Sequence, residues 1–213
     1  MKKERYNRKI WDRYARWYDR EVLQFSGAAY AEMYRLMSAA LGKEMRVLEL
    51  ATGTGLIAIH IAHSVGFMEA TDFSPKMIEA AKKKPVPENV HFSVEDAVVL
   101  SFGDESFDAV IISNALHIMP DPRAVLANIR RVLKPGGLLI APNFTHGHLK
   151  DSAWKLSTLI LKCIGFETYS KWTPEEYLAF LGENGFSVEK QRVLKAAFPL
   201  VYAEAREKCA HTQ

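Results

Sequence analysis

Residues 47 to 62 read VLELATGTGLIAIHIA. Val47, Leu48 and Leu50 give the stretch the length and apolar character of a buried strand, and Gly53 and Gly55 then supply a tight turn before a helical run. A strand, a glycine turn and a helix in that order let backbone amides and a helix N-terminus approach a ligand, as at the opening of a doubly wound α/β fold. Glu49 is the anomaly. A buried carboxylate costs several kcal/mol unless a cation or a hydrogen-bond donor meets it, so Glu49 requires a partner. Gly53-Thr54-Gly55-Leu56-Ile57-Ala58 also satisfies GxGxxA, which keeps a nicotinamide-dependent oxidoreductase open. That motif cradles a pyrophosphate, however, and an anion is badly served by Glu49 at the mouth of the turn.

Moving outward, the next apolar run ends in Ala70-Thr71-Asp72 and the one after it in Glu95-Asp96-Ala97. Each places an acid at the carboxyl edge of a strand, where open α/β sheets bind ligands. The two oxygens of Asp72 can accept both hydroxyls of a ribose. Asp96 can accept from the exocyclic amine of a purine while the Ala97 amide meets a ring nitrogen. Hydrogen bonds to charged groups contribute roughly 1.5–3 kcal/mol each. Three successive edges thus suit an amine, a ribose and an adenine, with no phosphate required.

The wider pattern supports an α/β, doubly wound, mixed sheet with helices on both faces. Strands are expected at 46–50, 67–71, 90–94, 107–113 and 136–142, with helices near 54–64, 75–84 and 121–133. Ser74 reads as an N-cap before Pro75, and Lys134-Pro135-Gly136-Gly137 as a stop after the third helix. Helices follow near 149–162 and 174–184, the latter opened by a capping box from Thr173 to Glu176. Two strands at 186–194 and 197–205 close the chain, too near each other for a parallel crossover.

These motifs together resemble the class I S-adenosylmethionine-dependent methyltransferases, in particular the small-molecule group that methylates quinones and phospholipids. VLELATGTG is similar to the family's first motif and ATDFSPKMIEAA to its second. FSVEDAVVLSFGDESFDAVIISNALHIMPD matches the third and fourth, and RRVLKPGGLLI the entrance to the fifth strand. Ala51 stands where the usual GxGxG has its first glycine. The resemblance implies a seven-stranded sheet with the last strand antiparallel and S-adenosylmethionine as cofactor. It implies that Glu49, Ala51, Gly53 and Gly55 serve the methionine end, Asp72 the ribose, and Asp96 with Ala97 the adenine. Phe73 and Met77 line the nucleoside, and Asn114 and Ala115 pass beneath the sulfonium. Tyr14 and Tyr18 resemble lid tyrosines.

A sulfonium methyl is already activated, so alignment and desolvation carry much of the catalysis and a base is optional. Candidate bases are His117, after the fourth strand, and His146 and His148, after the fifth. The resemblance makes His117 mostly structural. No Asp/Asn-Pro-Pro-aromatic motif follows the fourth strand, so nucleic acid is not the expected substrate. The expected acceptor is a small hydrophobic molecule or lipid carrying an amine, a hydroxyl or a thiol. The apolar stretch 149–166 fits such an acceptor, and fits equally a cover over the sheet.

The 213 residues, 48% hydrophobic, suffice for one domain. We divide it into an N-terminal helical lid at 1–42, a cofactor-binding core at 43–145, a substrate-side helical insert at 146–185 and a C-terminal strand pair and tail at 186–213. Lys and Arg number 28 against 25 Asp and Glu, too balanced a charge to demand a polyanion. The lid nevertheless mixes Arg8, Arg13, Arg16 and Arg20 with Tyr6, Ile10, Tyr14, Trp17 and Tyr18. The aromatics fall near one helical stripe, which suits a lid over the cofactor, a helix on anionic membrane, or plain packing. Cys163 and Cys209 lie outside metal-ligand spacing, and no metal is expected. The N-terminus lacks an apolar signal and no apolar run reaches membrane-spanning length, so a cytoplasmic protein, peripheral to membrane at most, is the expectation. A partner-binding domain that retained the fold without catalysis is a further alternative, opposed by the intact acids.

Overall fold

The computed structural model describes residues 8–13, 15–146, 168–196 and 199–208. Tyr14, His148, Cys163, Cys209 and the helix expected near 149–162 lie outside those residues.

Strands β1 (Arg46–Leu50), β2 (Phe67–Asp72), β3 (Val90–Val94), β4 (Phe107–Ile112), β5 (Leu133–Ile140), β6 (Asn143–Phe144), β7 (Phe186–Leu194) and β8 (Leu200–Glu207) form one mixed sheet. Its order is β3-β2-β1-β4-β5-β8-β6, with β7 on the free side of β8. The first five strands run parallel, and β8 runs antiparallel to β5, β6 and β7. The doubly wound mixed sheet and the antiparallel last strand are as the sequence predicts.

The eighth strand is a difference with a physical cause. Residues Leu138–Ile140 and Asn143–Phe144 pair with β8 in one unbroken register, and the Ala141 amide bonds to the Ala203 carbonyl between them. Pro142 lies in the two-residue gap between these paired runs with its carbonyl turned to the Asn114 amide at the end of β4, so its missing N–H is not needed by β8 and the pairing resumes beyond it. What reads as one strand over 136–142 is therefore an interrupted strand reaching Phe144. The Tyr177 hydroxyl, fully buried, bonds the Ala141 carbonyl at 2.8 Å from the neighbouring helix and satisfies the break.

Helices cover both faces. On one lie α2 (Tyr18–Ala40), α3 (Leu56–Ile61) and α4 (Pro75–Lys82), packing Met33, Met37, Ile57, Ile61 and Ile78 against Val47, Met68, Ala70 and Ile111. On the other lie α5 (Pro122–Val132) and α6 (Pro174–Glu183), packing Val125, Ile129, Tyr177 and Leu181 against Leu48, Leu50, Val110 and Leu139. Alternation along each strand sends successive residues to opposite cores. The caps follow the sequence: Ser74 accepts from the Met77 amide, and Thr173 and Glu176 form a reciprocal capping box.

The N-terminal region departs from a single helix. A short helix, α1, spans 8–13, and a turn at 15–17 separates it from α2. The turn breaks the aromatic stripe, so Trp17 is turned outward and 58% exposed instead of packing with its neighbours.

Gly55 shows why the turn tolerates no side chain. Its φ is 74°, and a Cβ there would sit 2.5 Å from Cζ of Phe92, which is itself buried under α3. Gly53 has φ 58°, but its Cβ would meet only the Tyr18 ring at 3.5 Å, an ordinary contact. Gly55→Ala is therefore expected to cost about 2–4 kcal/mol from strain and overpacking together, and Gly53→Ala about 1–2 kcal/mol from backbone alone. Paired denaturant titrations check this, and equal losses in the two variants would contradict it.

Candidate functional site

The carboxyl ends of β1, β2 and β4 meet at the glycine turn, and each brings a polar group that the sheet forces inward. Glu49 is 1% exposed. Its Oε2 accepts from the Thr52 hydroxyl at 2.7 Å, and the Ala58 amide in the first turn of α3 also bonds to it. The partner that the sequence demands is thus a pair of neutral donors. Burial raises the carboxyl pKa to about 7, those two hydrogen bonds oppose the rise, and the charge of Asp72 adds to it.

Asp72 joins two edges. Its Oδ2 accepts from the Gly53 amide and its Oδ1 from the Ser74 amide, both at 2.8 Å. Burial raises its pKa to about 6, against the pull of those amides, and Asp12 raises it further. The turn is closed by Thr52 N–H to Thr71 O and Gly55 N–H to Thr52 O. Ala51 enters it at φ 53°, in the left-handed region that a glycine takes without strain. Ala51 therefore holds the conformation of the missing glycine at a cost of about 1–2 kcal/mol.

The third edge is more open. The Asp96 carboxylate is exposed and accepts from the Val98 amide, at 2.9 Å, beside buried Ala97. Phe73 is 38% exposed beneath the Arg8 guanidinium, whose carbon lies 5.9 Å from the ring centre. Met77, by contrast, is buried in α4. At the end of β4, Asn114 takes φ 53° and its amide bonds to Pro142 O. Its Nδ2 donates to the Tyr30 hydroxyl at 3.1 Å, while its buried Oδ1 has no hydrogen-bond partner among the described residues. Ala115 is buried next to it.

The N-terminal segment lies across these groups. Asp12 accepts from Ser74 Oγ at 2.6 Å, and Asp19 accepts from Thr54 Oγ1. Lys84 Nζ bridges Asp19, at 2.5 Å, and the Thr54 carbonyl, at 2.7 Å. Tyr18 adds its ring over Gly53 and a side-chain hydrogen bond to Tyr30. Asp12, Asp19, Tyr30, Thr52 and Lys84 are absent from the sequence-derived set. Thr52 lies within the first motif without a role assigned to it there, and only their contacts single out the other four, since no motif contains them.

Two of the three candidate bases fall among the described residues, and they lie together. His117 sits in a single 3-10 turn after β4, with Nδ1 3.0 Å from Asn143 Oδ1. Asn143 gives its Nδ2 to the Phe144 carbonyl, so Oδ1 is the accepting atom and His117 carries its proton on Nδ1. Nε2 keeps the lone pair. Burial lowers the His117 pKa to about 4, the Asn143 bond opposes this, and the nearby His146 lowers it further. His146 is likewise held below its ordinary value, first by burial and then by Lys171. Both rings are neutral at pH 7. Among the described residues no group of three His, Cys, Asp or Glu side chains gathers as metal ligands would.

Comparison with known proteins fits this geometry. Residues 48–141 match the family model of the methyltransferase domain. A demethylmenaquinone methyltransferase from Mycobacterium sp. (strain KMS) is 36% identical over 138 residues, covering 64% of this chain and 58% of that protein. A ubiquinone/menaquinone biosynthesis C-methyltransferase, UbiE, from Desulfotalea psychrophila is 40% identical over 102 residues, covering 47% and 42%. The chain spans about half the length of the curated relatives it matches. Among solved structures, the DhpI–SAH complex shares the fold with a TM-score of 0.73 at 23% identity, covering 97% of this chain and 98% of that one.

The raised carboxyls set a pH dependence. A folded-state pKa above the unfolded value means that the folded protein binds the proton more tightly, so the stability this contributes is present at low pH and lost as pH rises. For Glu49 the loss runs from its ordinary 4.5 up to about 7. Denaturation of wild type and Glu49→Gln from about pH 5 to about pH 8 is expected to show wild type losing stability relative to the variant. Parallel pH profiles would contradict it.

Proposed function

We propose that the protein, whose residues 48–141 match the family model of the methyltransferase domain, transfers a methyl group from S-adenosylmethionine to a ring carbon of a quinone-type acceptor in its reduced, phenolic form. The observation that supports this best is the ordered set of acids on three strand edges, Glu49, Asp72 and Asp96, arranged around a glycine turn where Glu49 meets the neutral Thr52 hydroxyl and Ala58 amide. Those residues fit the cofactor: a carboxyl for the ammonium end, one for the ribose, one for the adenine, and an unpartnered carbonyl at Asn114 near the reacting end. Phe73 and Ala97 flank the adenine, and the helices at 8–40 form the lid. A dinucleotide fits poorly, because the Gly53 amide that would meet a pyrophosphate already donates to Asp72.

The sequence by itself offers an amine, a hydroxyl or a thiol as acceptor. The names of the relatives, demethylmenaquinone methyltransferase and quinone C-methyltransferase, move the proposal to carbon. When bound, the cofactor supplies a methyl on a sulfonium, whose S–C bond breaks with its electron pair kept by sulfur. A phenolic ring carbon is the nucleophile, and losing the O–H proton enriches it. His117 is placed to hold that hydroxyl through Nε2, with Asn143 fixing the tautomer, and His146 is the neutral base beside it. The ring proton displaced by the new C–C bond leaves by the same two groups.

The expected outcome in calorimetry is that S-adenosylmethionine and S-adenosylhomocysteine bind, that NADH does not, and that Asp72→Asn weakens both ligands about tenfold or more. Incubation with a prenylated naphthoquinol lacking its ring methyl is expected to add one methylene to its mass. Binding of NADH alone would overturn the reading.

A membrane-embedded acceptor also gives the exposed corner at 13–20 a role. Trp17, 58% exposed, is flanked by exposed Arg13, Arg16 and Arg20. An aromatic wedge with cations beside it suits an anionic bilayer surface. Among the described residues no helix is long and apolar enough to cross a membrane, so contact would be at the surface. Co-sedimentation with phosphatidylglycerol vesicles, weakened in Arg16→Glu and Trp17→Ala and absent with phosphatidylcholine alone, is the expected result. Equal partition to both vesicle types would contradict it.

A further inference from the structure

Tyr30 belongs to no motif, yet it lies where the lid meets the sheet. It is 3% exposed on α2, and its hydroxyl accepts from Asn114 Nδ2 at 3.1 Å and pairs with the Tyr18 hydroxyl. Its ring is wedged edge-on against Tyr34, which stacks on His60 at 4.0 Å, so the phenol has little freedom to leave. Asn114 is the residue it holds. That asparagine sits at φ 53° at the carboxyl end of β4, a conformation persisting only where the surroundings impose it, and such strain clusters at ligand sites. Its Oδ1 is buried with no hydrogen-bond partner among the described residues, a costly state unless a ligand uses it. Glu49 is close enough for its charge to act on the Tyr30 phenol. One tyrosine therefore touches the lid through Tyr18, the β4 edge through Asn114, and the field of the buried acid on β1.

We propose that Tyr30 is a positioning residue that fixes the Asn114 amide with Nδ2 on the phenol and Oδ1 toward the cofactor's reacting end, so that the carbonyl dipole favours the positively charged methyl donor over the neutral thioether product. This rests on the cofactor reading above. The two ligands differ by a methyl group and a positive charge on sulfur. A carbonyl oxygen facing that sulfur attracts the sulfonium and its polarised methyl hydrogens, and gains little from the thioether. Releasing the amide would let Oδ1 turn away and find another donor, erasing the preference. The consequence for turnover is that donor is held and spent product let go by the same group.

The test is calorimetry of the full chain with S-adenosylmethionine and with S-adenosylhomocysteine, in wild type, Tyr30→Phe and Tyr34→Phe. Loss of one hydrogen bond predicts about a fivefold rise in Kd for the donor in Tyr30→Phe and less than about a twofold change for the product. Tyr34→Phe, one helical turn away, should change neither. Asn114→Gly removes Oδ1 while accepting the left-handed φ, and should reproduce the donor-specific loss even if Tyr30→Phe folds badly. A merely structural role would weaken both ligands together, and that outcome, or no change in either, overturns the proposal. Failure of wild type to bind either ligand would sink the cofactor reading itself, and this proposal with it, and is distinct from a loss of selectivity.

Discussion

The two oxygens of Asp72 hold the site together. One accepts from the Gly53 amide at the end of β1 and the other from the Ser74 amide at the start of α4, so a single carboxyl sets the separation of two strand edges. The same Ser74 caps α4 through Met77 and reaches Asp12 on the N-terminal segment. Remove the carboxyl, and the glycine turn, a helix N-terminus and the docking of the N-terminal segment lose a common anchor. Backbone amides left buried without acceptors cost about 1–3 kcal/mol each, so the site resists rearrangement only while Asp72 is in place.

Around that anchor the protein accumulates negative charge in a place that disfavours it. Glu49 is buried and Asp72 partly so, and Asp12 and Asp19 come in with the N-terminal segment. Lys84 answers Asp19 and ties it to the Thr54 carbonyl. Burial is the first cause of the raised pKa of both Glu49 and Asp72, and amide and hydroxyl donors only moderate it. Such a site gains most from a ligand that brings positive charge and hydroxyl donors, and least from a phosphate.

The surroundings of His117 depend on a different constraint, the interruption of the fifth strand at Pro142. Because the ladder resumes at Asn143 in register, Asn143 is buried with its Oδ1 toward His117 and its Nδ2 on Phe144. That amide decides which nitrogen of His117 keeps its lone pair, and the buried setting keeps the ring neutral. The Pro142 carbonyl accepts from the Asn114 amide, which pins the end of β4 in its left-handed turn. The stretch from Pro142 to Asn143 therefore orients both His117 and Asn114.

How much of this is legible in the sequence depends on the range of the interaction. Strands and helices of the core, the caps at Ser74 and Thr173, and the order of Glu49, Asp72 and Asp96 are written in local pattern. Side-chain alternation, capping chemistry and the carboxyl-edge rule all act within a few residues or through a fixed topology. Ala51 could be read as a departure, but its left-handed φ and the cost it carries belong to the folded turn. The sequence by itself determined the α/β winding and the chemical order of the cofactor edge, because hydrophobic period and strand ends are local. Only the tertiary structure decided that Pro142 splits a strand, that Trp17 turns outward, and that Tyr30, Asp12, Asp19 and Lys84 meet the turn. Those pairings join residues up to 84 positions apart, and no spacing rule encodes a contact made by one helix lying across the ends of strands that follow it.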